Sequence, residues 1–187
     1  GTDEGEFSHF DLARLGFVRT ERSAAFLASD ALSRVPPALV RDMGASADPD
    51  EALLALTRLA ESAAEAGESA QFDRVVADEA LGRTLVRILG SSVALGDALA
   101  RNVDALEEIL ECPTLAGPTR ERFREVMLAA VGSHPNAAVA VAKEGPAPRH
   151  AFRRAYYFLL AQIAALDVCA TDPFAHQEEI STLLSDL

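Results

Sequence analysis

The segment from Asp48 to Ala66, DPDEALLALTRLAESAAEA, restricts the possible folds more than any other part of the chain. It begins with an aspartate and a proline, the residue types preferred at the N-cap and first position of a helix, and Glu51 is placed to close a capping box. Leu53, Leu56 and Ala60 then follow one helical face. The segment therefore predicts a long amphipathic helix, which must bury its apolar face against other elements.

The same helical period continues along most of the chain, and the period-two alternation of β-strands is rare. The first predicted helix starts at Thr20, which would act as its N-cap. The longest predicted helix covers residues 149–170, and the final helix starts at 172–173. Prolines and a glycine in 36–44 predict a connector. The prediction is an all-α, multi-helix bundle of about eight to ten helices with no substantial sheet.

Breaks in this pattern suggest how the chain is organised. Residues 1–9 are expected to be a disordered lead, and residues 10–187 a single helical domain. A division into two subdomains, 10–112 and 118–187, is the alternative, because prolines bracket the residues between them. The final helix keeps its apolar rhythm to the end of the sequence, which is typical of a piece of a longer enzyme.

Charge and cysteine content exclude several classes of protein. The 17 Lys and Arg are outnumbered by 29 Asp and Glu, which gives a formal net charge of −12 and argues against nucleic-acid and anionic membrane surfaces. The acidic start of the chain is not a signal peptide, and no apolar run reaches the roughly 18 residues of a membrane helix. The two cysteines form no CxxC pair, which argues against a disulfide scaffold or a zinc site. We therefore expect a cytoplasmic protein.

The stretch ILGSSVALGDALARN, residues 88–102, contains glycines and serines that could cradle a phosphate. Its spacing fits neither phosphate-loop nor dinucleotide fingerprints, no lysine follows, and helices are predicted on both sides. We interpret it as a junction at which Gly90 ends one helix and Ser91 or Ser92 caps the next. Gly96 would then admit a close neighbour, and the following stripe is expected to break near Asn102.

Candidate chemical groups are sparse. Asp48 and Asp50 form a D-x-D, the pattern with which nucleotidyltransferases hold two metal ions, but their position at a helix start favours capping. The four histidines lack metal-site spacing and are expected to be exposed loop residues. Between residues 149 and 154 lies the densest basic patch of an acidic chain. Pairing with nearby carboxylates is the favoured interpretation of its arginines, and docking to an acidic partner or a phosphate is the alternative.

Two segments carry a family resemblance. LVRILGSSVALGDALARNVDALEEI, followed later by FRRAYYFLLAQIAALDV, resembles the leading helical part of the bacterial glutamine synthetase adenylyltransferase/adenylyl-removing enzymes, especially those of high-GC bacteria. The matching positions are Gly90, Ser91, Ser92, Ala94, Leu95, Gly96, Asp97, Arg153, Arg154, Ala155, Tyr156, Ile163, Ala164, Ala165 and Asp167. The likeness extends over about residues 10–187. The chain departs from the family in having Asn102, Val103 and Asp104 for a His-Pro-Glu, and Tyr157, Phe158 and Leu166 for basic residues.

The resemblance implies a parent enzyme with two nucleotidyltransferase domains that use ATP and magnesium. One domain would adenylylate glutamine synthetase and the other would remove AMP by phosphorolysis, under a regulator protein of nitrogen signalling. This chain would be a non-catalytic N-terminal segment packing near the deadenylylating domain, with no catalytic, cofactor-binding or metal residue. Arg153, Arg154, Tyr156 and Asp167 are its candidate docking residues. The alternative is a free-standing α-helical interaction or ligand-sensing module.

Overall fold

The computed structural model describes residues 7–115, 119–134, 136, 146–169 and 177–186. These residues form eleven α-helices and two short 3-10 segments, Asp30–Leu32 and Val103–Ala105, and they contain no β-strand. The all-α prediction is confirmed. The helices are α1 (His9–Arg14), α2 (Thr20–Leu27), α3 (Pro37–Met43), α4 (Pro49–Ala66), α5 (Ser69–Ala77), α6 (Glu79–Ser91), α7 (Val93–Arg101), α8 (Leu106–Leu115), α9 (Arg120–Ala130), α10 (Pro146–Cys169) and α11 (Gln177–Asp186).

The chain divides into two units, Gly1–Glu107 and Glu108–Leu187. In the first unit α4 is the central helix, in contact with α2, α3, α5, α6 and α7. Because neighbours surround it, α4 buries more than one stripe of side chains. The fully or nearly fully buried residues of α4 are Ala52, Leu53, Ala55, Leu56, Thr57, Leu59, Ala60 and Ala63.

The ends of α4 follow from its sequence. The Asp48 carboxylate accepts a hydrogen bond from the Glu51 N–H at 3.0 Å, and Pro49 occupies the first turn, as predicted. Only this half of the expected capping box forms. Gly67 ends the helix in the left-handed region at φ 76°, a conformation that glycine adopts without a Cβ penalty.

Two predictions about the part of the chain before α4 are wrong. The proline-rich stretch 36–44 is not a connector: it contains α3, which starts at Pro37 because a first-turn proline needs no N–H partner. Its Leu39, Val40 and Met43 are buried, so tertiary packing stabilises this short helix. Thr20 is the first residue of α2 rather than its cap, and the side chain at the actual cap position, Arg19, makes no capping hydrogen bond.

The second unit has its own small core. Phe123 of α9, Leu159 and Ile163 of α10, and Leu183 of α11 are buried together. The sequence pattern also predicts a helix from about Thr119 to Val131 that Gly132 stops, and Gly132 does lie just after α9 at φ 73°. The longest helix is α10, which starts at residue 146 instead of 149. The predicted start of the final helix at 172–173 lies outside the described residues. No helix of the described part of the chain is both long and apolar enough to cross a membrane.

Candidate functional site

The glycine–serine stretch 88–102 is a junction between helices in the first unit. Gly90 does not end α6, contrary to the prediction: α6 continues to Ser91, and Ser92 caps α7 by accepting the Leu95 N–H at 3.4 Å. Gly90 is buried, and a Cβ at this position would lie 2.6 Å from the Oγ of Ser46. A bulkier residue would therefore collide with the turn before α4.

The second glycine of the stretch has the role that was expected. Gly96 is buried in α7, and a Cβ on it would lie 3.3 Å from the Cβ of Ala55 in α4. The missing side chain lets α7 approach the central helix closely. Together Gly90 and Gly96 fix helix packing, and neither contributes to a phosphate-binding loop.

The stripe that follows breaks at Asn102, as predicted. Asn102 is buried, and its Nδ2 donates to the Ala98 carbonyl at 2.9 Å. The 3-10 segment Val103–Ala105 follows directly and leads into α8. The family pattern was expected to have a histidine at position 102. In this chain the residue there is Asn102, whose side chain bonds within its own helix where that helix ends.

The D-x-D carboxylates are both engaged in structural hydrogen bonds. Asp48 caps α4, while Asp50 accepts from the Val18 N–H at 2.7 Å, the Arg19 N–H at 3.2 Å and the Ser23 Oγ at 2.8 Å. Burial alone would raise the pKa of Asp50, but the hydrogen bonds from Val18, Ser23 and Arg19 together hold it below its ordinary value.

Asp50 therefore ties the start of α2 to the start of α4, where the helix dipoles also favour a negative charge. A carboxylate that accepts three N–H and O–H bonds has little capacity left for a metal ion, so the D-x-D does not fit magnesium. The described residues contain no group of three or more His, Cys, Asp or Glu that could hold a metal. His9, His134 and His150 are exposed, and His176 lies outside the described residues.

The predicted docking residues all lie on α10 but not in one patch. Arg153, Arg154 and Tyr156 are exposed within its first three turns. The ring of Tyr156 meets that of Tyr157 edge-on, with centroids 5.6 Å apart. Asp167 is exposed eleven positions after Tyr156, about 16 Å further along the helix axis.

The departures from the expected family pattern have a packing explanation. Phe158 packs against the core of the second unit, and Leu166 is buried with 6% of its surface exposed. Tyr157 is half-buried. A basic side chain at position 166 would be costly here, because burying a charge requires a partner.

Sequence reasoning missed two features of these sites. It placed Phe152 with Tyr156 on the apolar stripe of the long helix, but the Phe152 side chain is 43% exposed, one turn before Tyr156 on α10. Helical spacing shows which residues share a face and not whether that face is covered, so no local signal could have shown this exposure. It also missed Ser23 as a partner of Asp50, and no local signal could have shown this, because the two residues are 27 positions apart.

Curated proteins similar to the chain carry the name bifunctional glutamine synthetase adenylyltransferase/adenylyl-removing enzyme. The protein of Cutibacterium acnes is 31% identical over 184 residues, covering 95% of this chain and 18% of the relative. That of Streptomyces avermitilis is 33% identical over 168 residues, covering 88% and 15%. That of Leifsonia xyli subsp. xyli is 34% identical over 183 residues, covering 94% and 17%.

The chain thus spans less than a fifth of the length of the curated relatives it matches. No protein-family model and no solved structure matches it. The similarity to the curated relatives covers both units described above and includes the helix junction at Gly90 and the long helix α10. By this similarity, the chain belongs to the family of bifunctional glutamine synthetase adenylyltransferase/adenylyl-removing enzymes.

Proposed function

We propose that the chain is a helical, non-catalytic segment of an enzyme that transfers AMP to glutamine synthetase and removes it again, and that it helps this enzyme to engage glutamine synthetase. The observation that carries the proposal is the 31–34% identity to three enzymes of that name along almost the whole chain. The names of those relatives identify the substrate as glutamine synthetase.

The non-catalytic part of the proposal rests on how the chain uses its carboxylates. AMP transfer needs metal-bound phosphates and a pair of carboxylates to hold the metal. The D-x-D pair of this chain caps α4 and binds the start of α2 instead. We therefore assign ATP and magnesium binding to parts of the enzyme other than this chain.

The engagement part of the proposal rests on the exposed surface of the longest helix. In the second unit, α10 combines a buried end with exposed arginines and aromatic rings. Arginine and aromatic side chains are enriched in protein interfaces, so this composition favours protein binding over catalysis.

Two measurements test the two parts separately. The chain is incubated with purified glutamine synthetase of Streptomyces avermitilis, magnesium and ATP labelled with ³²P at the α-phosphate. We expect no label on glutamine synthetase, and label above that of a mixture without the chain would refute the non-catalytic assignment. In a second measurement, immobilised chain should retain glutamine synthetase, while a denatured sample of the chain should not.

A further inference from the structure

The first turns of α10 project beyond the packing that holds the rest of the helix. Between Pro146 and Arg154, Pro148 is half-buried and every other residue is exposed. Burial begins at Ala155, and Leu159 and Ile163 then enter the core of the second unit. A helix end whose side chains are exposed gains little stability from tertiary packing. A surface of this kind is stabilised when a partner covers it.

Four exposed side chains of this projecting part share one side of the helix. Arg149, Phe152, Arg153 and Tyr156 fall within an arc of about 100° at 3.6 residues per turn. Phe152 is 43% exposed and Tyr156 36% exposed, so both rings present apolar surface beside the two arginines. We call these four residues the arginine–aromatic face.

The arginine–aromatic face is positively charged, whereas the chain as a whole is negatively charged. No Asp or Glu occurs between Pro146 and Leu166, although the whole chain has a net charge of −12. The positive end of the α10 dipole adds to the charge of Arg149 and Arg153, since the first turn holds no acidic residue. An acidic partner would be repelled by most of this protein and attracted to the arginine–aromatic face.

The two arginines of the face also line a recess, where they offer positive charge to an acidic side chain of a partner. The recess has a volume of about 420 Å³, and the described residues that line it are Pro146, Arg149, His150 and Arg153. A free phosphate would use the guanidinium groups but not the two aromatic rings. A protein surface uses both, because arginine and aromatic residues supply most of the energy of protein interfaces.

We propose that the arginine–aromatic face of α10 docks on an acidic, partly apolar surface of glutamine synthetase. This inference rests on the proposed function, and it specifies which side of α10 makes the contact. It retains Arg153 and Tyr156 from the residues expected from the sequence and adds Arg149 and Phe152. Arg154 points about 100° away from Arg153 on the helix, and it makes an interaction within the chain.

The test measures binding of the full chain to purified glutamine synthetase of Streptomyces avermitilis by biolayer interferometry. We expect the double variant Arg149→Glu/Arg153→Glu to raise the Kd at least tenfold, and Phe152→Ala/Tyr156→Ala to raise it about fivefold. The single variants Arg153→Glu and Arg154→Glu form the matched pair, because both make the same charge change on the same helix and only Arg153 lies on the face. Raising NaCl from about 50 mM to about 500 mM should weaken wild-type binding. Circular dichroism confirms that each variant is folded.

Four outcomes would overturn the inference. If the double variant binds like the wild type, or if Arg154→Glu weakens binding as much as Arg153→Glu, the face is wrong while the proposed function stands. If the wild-type chain does not bind glutamine synthetase, the engagement part of the proposed function fails as well. If sedimentation shows that the chain self-associates and that the double variant abolishes this, the face belongs to a second copy of the chain.

Discussion

Gly90 of α6 and Ser46, in the turn before α4, are so close that only glycine fits at position 90. A Cβ at Gly90 would lie 2.6 Å from the Ser46 Oγ, 2.7 Å from the Ser46 Cβ and 3.0 Å from the Asp48 carbonyl oxygen. The same turn begins the central helix α4, so the contact links α6 to the core of the first unit. The glycine–serine sequence that resembles a phosphate loop is therefore a site of close packing between α6 and the turn before α4.

Replacing Gly90 with alanine should lower the free energy of unfolding by about 1–2 kcal/mol. Alanine is the better helix former by about 1 kcal/mol, but overpacking costs about 1–3 kcal/mol and here involves a backbone oxygen that cannot rotate away. Urea denaturation followed by circular dichroism measures the change.

The companion variant Gly90→Ala/Ser46→Gly removes two of the three close contacts. It should lose less stability than the sum of the two single variants, because neighbouring substitutions are not additive. If Gly90→Ala alone leaves the free energy of unfolding unchanged or raises it, the contact between position 90 and Ser46 is not tight enough to exclude a Cβ.

The two aspartates of the D-x-D should respond differently to the same substitution. Asp50→Asn should lower the free energy of unfolding by about 1–3 kcal/mol, because a neutral amide presents only one acceptor to the Val18 N–H, the Arg19 N–H and the Ser23 hydroxyl. Asp48→Asn should be nearly neutral, since asparagine is as good an N-cap as aspartate. Equal effects of the two substitutions on the urea midpoint would refute the separate roles.

Acidification should remove the contribution of Asp50. Its pKa in the folded protein lies below the ordinary value of 3.8, because its hydrogen bonds outweigh the effect of burial, which would raise the pKa. The stabilising effect is therefore fully present above about pH 4 and is lost as the pH falls through the folded pKa.

The difference in unfolding free energy between the wild type and Asp50→Asn should accordingly shrink as the pH drops from about 6 to about 3. The pKa of Asp11 is also lowered, first by the Ser8 hydroxyl and then by the Ser8 N–H, but this effect is common to both proteins and cancels. A difference that stays constant with pH would mean that the charge of Asp50 does not matter.

Local signals in the sequence predicted much of the helical framework. The start of α4 follows from Asp48 and Pro49, and the end of α9 follows from Gly132, because caps and left-handed glycines act over a few residues. The break at Asn102 was also predicted from the interrupted apolar stripe. Such features require no knowledge of distant neighbours.

The remaining features depend on contacts between distant parts of the chain. The helix α3 exists although prolines and a glycine flank it, because Leu39, Val40 and Met43 are buried by other helices. Gly90 resembles a helix stop until Ser46 is placed beside it. Asp50 resembles a metal ligand or a cap until the start of α2 reaches it. Sequence alone also could not select one side of α10, since the exposure of a side chain depends on what packs against the helix.

The most direct test of the account is competition in a working enzyme reaction. The bifunctional enzyme of Streptomyces avermitilis transfers labelled AMP to its glutamine synthetase, and the isolated 187-residue chain is added in increasing amounts. If the chain binds glutamine synthetase but transfers no AMP itself, it should inhibit AMP transfer by the enzyme in proportion to the fraction of glutamine synthetase that it occupies. The variant Arg149→Glu/Arg153→Glu should inhibit at least tenfold more weakly. Unchanged AMP transfer in the presence of a large excess of the folded chain would contradict the account.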